Sequence, residues 1–479
     1  MSQSPAILWL RDDLRLRDNP ALHLAARNDR PVVFVYVLED VSSQRDRGGA
    51  SNWWLDKSLT ALKQEITNKG GQLVLRRGDA LLHLREIADA LATQDVFWNR
   101  RYAEAHREQD EIIKSSLKDD GFNVTSCPGN VLMEPWKIST KDGGPYRVFT
   151  PYWKSLQNSI EPRQILTAPS EFAPTKSIRS DSLKDWGLHP TKPDWSDGLN
   201  DAWTPGEAGA WDRLSEFLDG AIADYSNKRD IPSIDATSRL SPYLHFGEIS
   251  ANAIWMTVTS AIEAGEVNEQ AARKFLSELA WRDFSYHLLY HYPTLPNENY
   301  QSKFDRFPWR DDEAALIAWQ SGKTGYPIVD AGMRQLWATG WMHNRVRMVV
   351  ASFLTKHLLI HWKAGEDWFW DTLVDADHAN NAASWQWVAG SGADAAPFFR
   401  IFNPITQGEK FDPDGDYVRR WIPEIAELDN KWLHSPWNAP QSALDRAGIV
   451  LGQTYPKPIV DHSGARERAL EAYNQIKSG

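Results

Sequence analysis

The hydrophobic period changes partway along this chain, and that change limits the folds open to it. Up to about residue 130 the apolar residues come in short runs: AILWL (6–10), VVFVYVL (32–38), QLVLR (72–76) and DVFWN (95–99), with NVTSC (123–127) as a weaker fifth. Runs of this length, rich in Val, Leu and aromatics, suit strands buried on both faces. Amphipathic helical patterns separate them, such as WWLDKSLTALKQEI (53–66) and EAHREQDEIIKSSL (104–117). The βαβα order predicts a doubly wound parallel sheet with helices on both faces. From about Gly206 the period is helical nearly to the end. NEQAARKFLSELAWRDFSYHLLYHY (268–292) stops at Pro293, MHNRVRMVVASFLTKHLLIHW (342–362) stops near Gly365, and RERALEAYNQIKSG closes the sequence. Residues 155–205 are rich in Pro, Ser and charge and have weak periodicity, which reads as a connection. The expected fold is therefore α/β plus all-α: a front domain over 1–130, an interdomain connection over 131–205 and a helical domain over 206–479.

Several function classes fall away. The formal charge of -11 argues against a basic nucleic-acid binder by overall composition, although a local basic face can still do that work. One cysteine, Cys127, excludes a disulfide framework and a cysteine-rich metal site. The opening MSQSPAILWLRDD is too short an apolar run for a signal peptide, and no stretch approaches ~18 uninterrupted apolar residues. A cytoplasmic protein without a membrane span is the expectation. Neither G-x-G-x-x-G nor a Walker loop occurs, so the two common phosphate fingerprints are missing. Tryptophan is the abnormal residue, with 24 copies. Most of them suit a large core.

Three segments carry chemistry. LVDADHANNAASWQWVAG (373–390) sets two Asp, two Asn and two Trp among small residues. As a helix it would align Asp377, Asn381 and Trp385 on one face, drifting about 40° per step. A flat partner could take that face, and an internal polar network joining helices would use the same residues. DATSRLSPYLHFGEIS (235–250) places Thr237, Ser238 and Ser241 ahead of a helical run, which fits either an anion site or simple N-capping. Residues 331–365 hold five Lys/Arg, no Asp/Glu, three His and three Trp. Basic residues among aromatics suit a phosphate backbone with an unstacked base, or a solvated face.

These segments, with ELAWRDFSYHLL, TGYPIVDAGMRQLWATGWMHNRVRMVVASFL, DADHANNAASWQWVAGSGADAAPFFRIFNPITQGEKFD, YVRRWIPE, ILWLRDDLRLRDNPAL, SNWWLDKSLTAL and PYRVFTPYWKSL, resemble the photolyase/cryptochrome family over essentially the whole chain. The stretch NNAASWQWVAGSGADAAPFFRIFNP is most similar to the bacterial class III cyclobutane pyrimidine dimer (CPD) photolyases, a group close to plant cryptochromes.

The resemblance implies one FAD per chain, held in the helical domain. Tyr225, Thr237, Ser238, Arg239, Leu240 and Ser241 match its phosphate and ribose contacts. Arg347 and Asp375 match an ion pair over the isoalloxazine, Asp377 matches a flavin-pocket residue, and Asn381 matches the residue facing N5. Plant cryptochromes usually carry Asp at that last position, and a neutral amide cannot readily give a proton to N5. Trp385, Trp362 and Trp309 match an electron-transfer triad, with Trp362 lying 23 residues before Trp385. Trp368, Trp370 and Trp387 read as packing indoles.

On the DNA side the resemblance implies that Trp281 and Trp341 wall a flipped dimer and that Glu278 hydrogen-bonds its 5′ thymine. Asn344 and Met348 match dimer contacts, and Gln407 matches a DNA contact. Extruding a base for chemistry is general among enzymes that act on bases. Relatives that repair (6-4) lesions carry two histidines where this chain has Asn344 and Met348. The implied reaction is ring opening by one electron from photoexcited FADH⁻, with the electron returned, no metal, and UV-damaged DNA bearing CPD lesions as partner of a monomer. An antenna pigment is implied in the front domain, 5,10-methenyltetrahydrofolate by subfamily, with 8-hydroxy-5-deazaflavin as the alternative. The strand-end rule points to Glu39, Asn99, Trp53 and Trp54 for it. A cryptochrome-like photoreceptor without repair is the rival reading, disfavoured by Asn381 and by the Glu278, Asn344 and Met348 set. A light-independent flavin oxidoreductase lacks a nicotinamide fingerprint here.

Overall fold

The computed structural model describes residues 4–39 and 45–477. The chain divides into two compact units, Met1–Ala223 with Ser238–Pro293, and Asp224–Thr237 with Thr294–Gly479. In the first unit all five apolar runs form strands: β1 Ala6–Leu10, β2 Val32–Glu39, β3 Gln72–Gly78, β4 Asp95–Asn99 and β5 Asn123–Cys127. They pair in parallel in the order β3-β2-β1-β4-β5. Ile7, Trp9, Val33, Val35, Val74, Val96 and Trp98 build one core of this unit, as continuous apolar strands between two helical layers must. The helix Gly49–Asn68 starts four residues before the expected 53–66 and ends two after it, and Glu104–Asp119 starts where expected and ends two residues past 117.

The Pro- and Ser-rich connection has little regular structure beyond the helices Phe149–Ser159 and Asp197–Ala202 and a short 3-10 turn, Leu183–Trp186. It nevertheless does structural work. Asp181 N–H donates to Leu75 O at 3.0 Å, Leu75 N–H donates to Ser180 Oγ at 2.9 Å, and Phe172 N–H donates to Lys69 O at 2.7 Å. The two bonds to Leu75 cover the outer edge of β3, which would otherwise be a template for strand pairing, and the bond to Lys69 holds the chain just before that strand. The first unit runs beyond the limit expected near 206 because the helix Glu269–His291 is tied into it. Asp283 Oδ2 accepts from Leu132 N–H and Met133 N–H at 2.7 and 3.0 Å, and Tyr146 N–H donates to His287 Nε2 at 3.0 Å. The expected limits follow hydrophobic period, whereas the compact units follow packing.

The second unit is helical. The run expected to be one helix over 342–362 is broken. An α-helix covers Asn344–Ser352, a π-helical turn covers Phe353–His357, and a new helix starts at Trp362. Between them Leu359 takes a left-handed φ of 56°, which no α-helix continues through. The run has no Pro or Gly inside it, so its sequence does not mark the break. The closing helix spans His462–Lys477. No described helix is long and apolar enough to cross a membrane.

Candidate functional site

In the second unit the acidic, amide and indole residues of 373–390 converge, although not as a single helical stripe. The helix spans Asn380–Ala389, so Asp377 lies ahead of it. Its carboxylate closes the helix start, accepting from Ala379 N–H at 2.8 Å, Asn380 N–H at 2.6 Å and Asn380 Nδ2 at 2.7 Å. This corrects the expected one-face alignment, because an Asp offered free helical N–H groups satisfies those first. Asn381 and Trp385 do share a face, one turn apart. Asn381 Nδ2 donates to Glu366 O at 3.1 Å and Glu366 Oε1 at 2.7 Å. Both partners are acceptors, which fixes the amide orientation and leaves Asn381 Oδ1 for a ligand. Lys363 Nζ lies 2.6 Å from the other Glu366 oxygen.

Trp385 is 2% exposed, and its Nε1 is buried without an acceptor. Phe369 and Trp319 meet it edge-on at 4.9 and 6.1 Å. A Cβ on Gly365 would come within 2.1 Å of Trp385 Cη2, so only glycine lets the two helices approach there. Arg347 grips Asp375 with both terminal nitrogens, at 3.1 and 2.8 Å, and its Nε donates to Met342 O at 2.7 Å. Trp362 is fully buried and donates Nε1–H to Asn299 Oδ1 at 2.8 Å. Trp309, half-buried, packs on Phe307 at 4.4 Å and on His361 at 5.0 Å. Trp341 precedes the helix Asn344–Ser352, on which exposed Asn344 and half-buried Met348 stand one turn apart on one face. Gln407 lies on the helix Pro404–Phe411 with Oε1 buried and without a donor. Tyr225, buried, opens a short helix with Arg229 over its ring at 5.2 Å.

In the first unit, Ser238 to Ser241 form a turn more than a helix start. Ser241 opens a helix of only five residues, too short for much of a dipole, and Leu240 precedes it. Arg239 has a left-handed φ of 51°, and its guanidinium covers the Trp203 ring at 4.4 Å. Arg213 Nε donates to Ser238 O at 2.9 Å. Glu278 and Trp281 share a face of the helix Glu269–His291. Lys274 pairs with Glu278 at 2.8 Å, and Phe149 stacks on Trp281 with centroids 3.7 Å apart and planes at 10°.

The residues expected around a second pigment are engaged elsewhere in the first unit. Asn99 donates to Asp13 at 2.6 Å and to Asn19 at 2.8 Å, and accepts from Ala21 N–H at 3.2 Å. Glu39 accepts from Arg101 and Gln109, each at 2.7 Å. Trp54 donates to Glu248 at 3.1 Å, and Trp53 is 1% exposed in the core. Arg11, bonded to Asp110 at 3.1 Å and to Asn99 O, fills the crevice beyond β1 and β4 where the strand-end rule seeks a ligand. The polar network there ties these side chains to one another, while Arg11 Nε and Arg101 Nε are buried without a partner. The signal was ambiguous because Asn, Glu and Arg at strand ends serve a network as well as a ligand. Glu366, Gly365, Asn299 and Phe149 are partners that sequence reasoning missed: only Phe149 falls in a quoted motif, PYRVFTPYWKSL, and nothing there singles it out.

The first unit thus carries a parallel sheet, and the helical second unit buries an oriented amide one turn from a buried indole. Residues 6–171 match the family profile described as DNA photolyase, and 275–475 match the FAD binding domain of DNA photolyase. The chain is 53% identical to the deoxyribodipyrimidine photo-lyase of Agrobacterium fabrum, covering 100% of this chain and 99% of that protein. It is 37% identical to cryptochrome-2 of Arabidopsis thaliana, covering 98% of this chain and 79% of that protein. The crystal structure of a bacterial class III photolyase from Agrobacterium tumefaciens superposes with a TM-score of 0.97 at 52% identity, covering 100% of this chain and 99% of that one. This chain belongs to the DNA photolyase family, and it carries that family's FAD-binding domain.

Proposed function

We propose that this chain repairs cyclobutane pyrimidine dimers in DNA by light-driven electron transfer from reduced FAD, acting as a cytoplasmic monomer. The observation that carries the reading is the orientation of Asn381: its Nδ2 is spent on Glu366, so a hydrogen-bond acceptor, Oδ1, is what it offers to flavin N5–H. The buried, partnerless Nε1 of Trp385 and the Arg347–Asp375 pair fit the same flat, polar-edged group. Tyr225, Thr237, Ser238, Arg239, Leu240 and Ser241 would hold the phosphates and ribose, and Asp377 would stiffen the turn before Asn381. Reduced FAD, when bound, supplies one electron on absorbing blue light and recovers it after the dimer splits.

The chain's own residues then set the substrate. Glu278 and Asn344 would hydrogen-bond the flipped thymines, while Met348, Trp281 and Trp341 give them apolar walls and Gln407 meets the strand. Phe149 stacked on Trp281 keeps that indole in one plane. A CPD needs an electron and hydrogen bonds. A (6-4) lesion also needs a proton moved between its rings, a task for histidine, and the positions concerned are Asn344 and Met348. Two oligonucleotides, each with one lesion, are assayed in blue light and in darkness with fully reduced protein. Light-dependent restoration of the CPD alone is expected. No CPD repair would move the chain to the photoreceptor reading, and equal repair of both lesions would overturn the roles of Asn344 and Met348.

For the antenna we favour 5,10-methenyltetrahydrofolate over 8-hydroxy-5-deazaflavin. Its seat is better sought at Trp136, which is 45% exposed and 5.4 Å from the Tyr290 ring, itself covered by Arg107 at 4.3 Å. A pterin and its carboxylate tail suit aromatic faces beside a guanidinium. A folate absorbance band in the purified protein that disappears in Trp136→Ala is the expected result, and an unchanged band would reject this seat.

A further inference from the structure

His361 caps the helix Trp362–Thr372 in a way that does two jobs. Its backbone is non-helical, φ -57° and ψ 136° being the ordinary geometry of such caps, and its Nδ1 accepts from Lys363 N–H at 3.0 Å. Ser, Thr, Asp or Asn would cap as well or better. Only histidine among good acceptors of this size also brings a flat ring, and that ring touches two indoles of the electron path. Its centroid lies 5.4 Å from Trp362, with planes at 32°, and 5.0 Å from Trp309, with planes at 73°. Among the described residues, Trp362 and Trp309 make no direct ring contact with each other. Both indoles are held in place, Trp362 by Asn299 and Trp309 by Phe307.

We propose that His361 is a positioning residue of the electron path, its capped imidazole packed as the bridge between Trp362 and Trp309. The proposal rests on the reading of Trp385, Trp362 and Trp309 as that path. In the step concerned, Trp309 gives one electron to oxidised Trp362. Trp362 is restored, Trp309 becomes oxidised, and no bond forms or breaks. Trp309 Nε1 is buried without an acceptor, so its proton stays on the ring. The electron sink is light-excited oxidised flavin, reached through Trp385, and the source that finally refills Trp309 is an external thiol. Tunnelling weakens steeply as a gap widens, and close-packed atoms keep the gap narrow where a void would not. The cap bond places the imidazole proton on Nε2. Burial lowers the imidazole pKa, with Lys363 adding to that and Asp305 opposing it, so the bridge adds no positive charge beside indoles that must carry one.

Two substitutions separate cap from ring. His361→Asn keeps the cap and removes the ring, whereas His361→Phe keeps a ring and removes the cap. Transient absorption following oxidation of Trp309 in FAD-loaded protein is the readout, with thermal denaturation alongside. His361→Asn is expected to fold and melt like the parent yet to slow electron transfer from Trp309 several-fold. His361→Phe is expected to melt lower yet to keep that transfer near the parental rate. Parental kinetics in His361→Asn, with photoreduction lost in Trp385→Phe, would overturn the bridge and leave the path standing. Parental photoreduction in Trp385→Phe would overturn the path itself.

Discussion

At the scale of single residues, the decisive fact is that Asn381 is spoken for on one side only. Glu366 takes its amide nitrogen and Lys363 faces the other Glu366 oxygen, so an aspartate at 381 would meet a carboxylate. Asn381→Asp is therefore expected to destabilise the protein by about 1–3 kcal/mol, the cost of a buried polar group that loses its partner. The loss should be larger at pH 8 than at pH 5, because at low pH the two carboxyls can share a proton. Thermal melts at the two pH values check this, and a loss independent of pH would reject Glu366 as the partner that matters. Gly365 makes a steric counterpart. Gly365→Ala drives a methyl into the Trp385 ring, and about 1–3 kcal/mol of overpacking is expected, together with reduced FAD content. Wild-type stability and flavin content in that variant would show that the helices can separate freely.

At the scale of elements, the break in the helix expected over 342–362 creates the environment of Lys356. The π-helical turn directs this residue inward, where it is 1% exposed and its ammonium donates to Arg400 O at 3.1 Å. Burial lowers its pKa from 10.5 to about 7. Between those values the unfolded chain holds a proton that the folded chain has released. Unfolding then takes up a proton, so stability rises with pH from about 7 upward. In Lys356→Met that rise should vanish. Denaturant midpoints of both proteins at pH 7 and pH 9 measure it, and equal slopes would mean that Lys356 is charged in the folded state. The strands and most helix spans were legible because their periods are unambiguous. The π turn was not, because a run with no Pro or Gly inside it carries no sign of where its hydrogen bonds change.

At the scale of the whole molecule, a net charge of -11 has to coexist with DNA binding. Of the basic stretch 331–365, Arg334, Arg345, Arg347 and Lys363 pair with Glu424, Asp230, Asp375 and Glu366, and Lys356 is buried, so a phosphate must compete with those carboxylates for this segment. Affinity for lesion-bearing DNA should therefore fall linearly in log–log form as salt rises. Fluorescence anisotropy across a salt series measures the slope, and salt-independent binding would remove this segment from the DNA contact.

The sequence alone determined the two fold classes, the strand positions, and the spacing of Asn381, Trp385 and Trp362, because period and motif are local properties of the chain. Which side of Asn381 is free, why Gly365 faces Trp385, that Asn99 and Glu39 join a polar network, and that His361 touches both Trp362 and Trp309 were decided by tertiary structure. Each depends on residues brought together from separate elements, and hydrogen bonds and ring contacts between such residues leave no spacing rule along the chain.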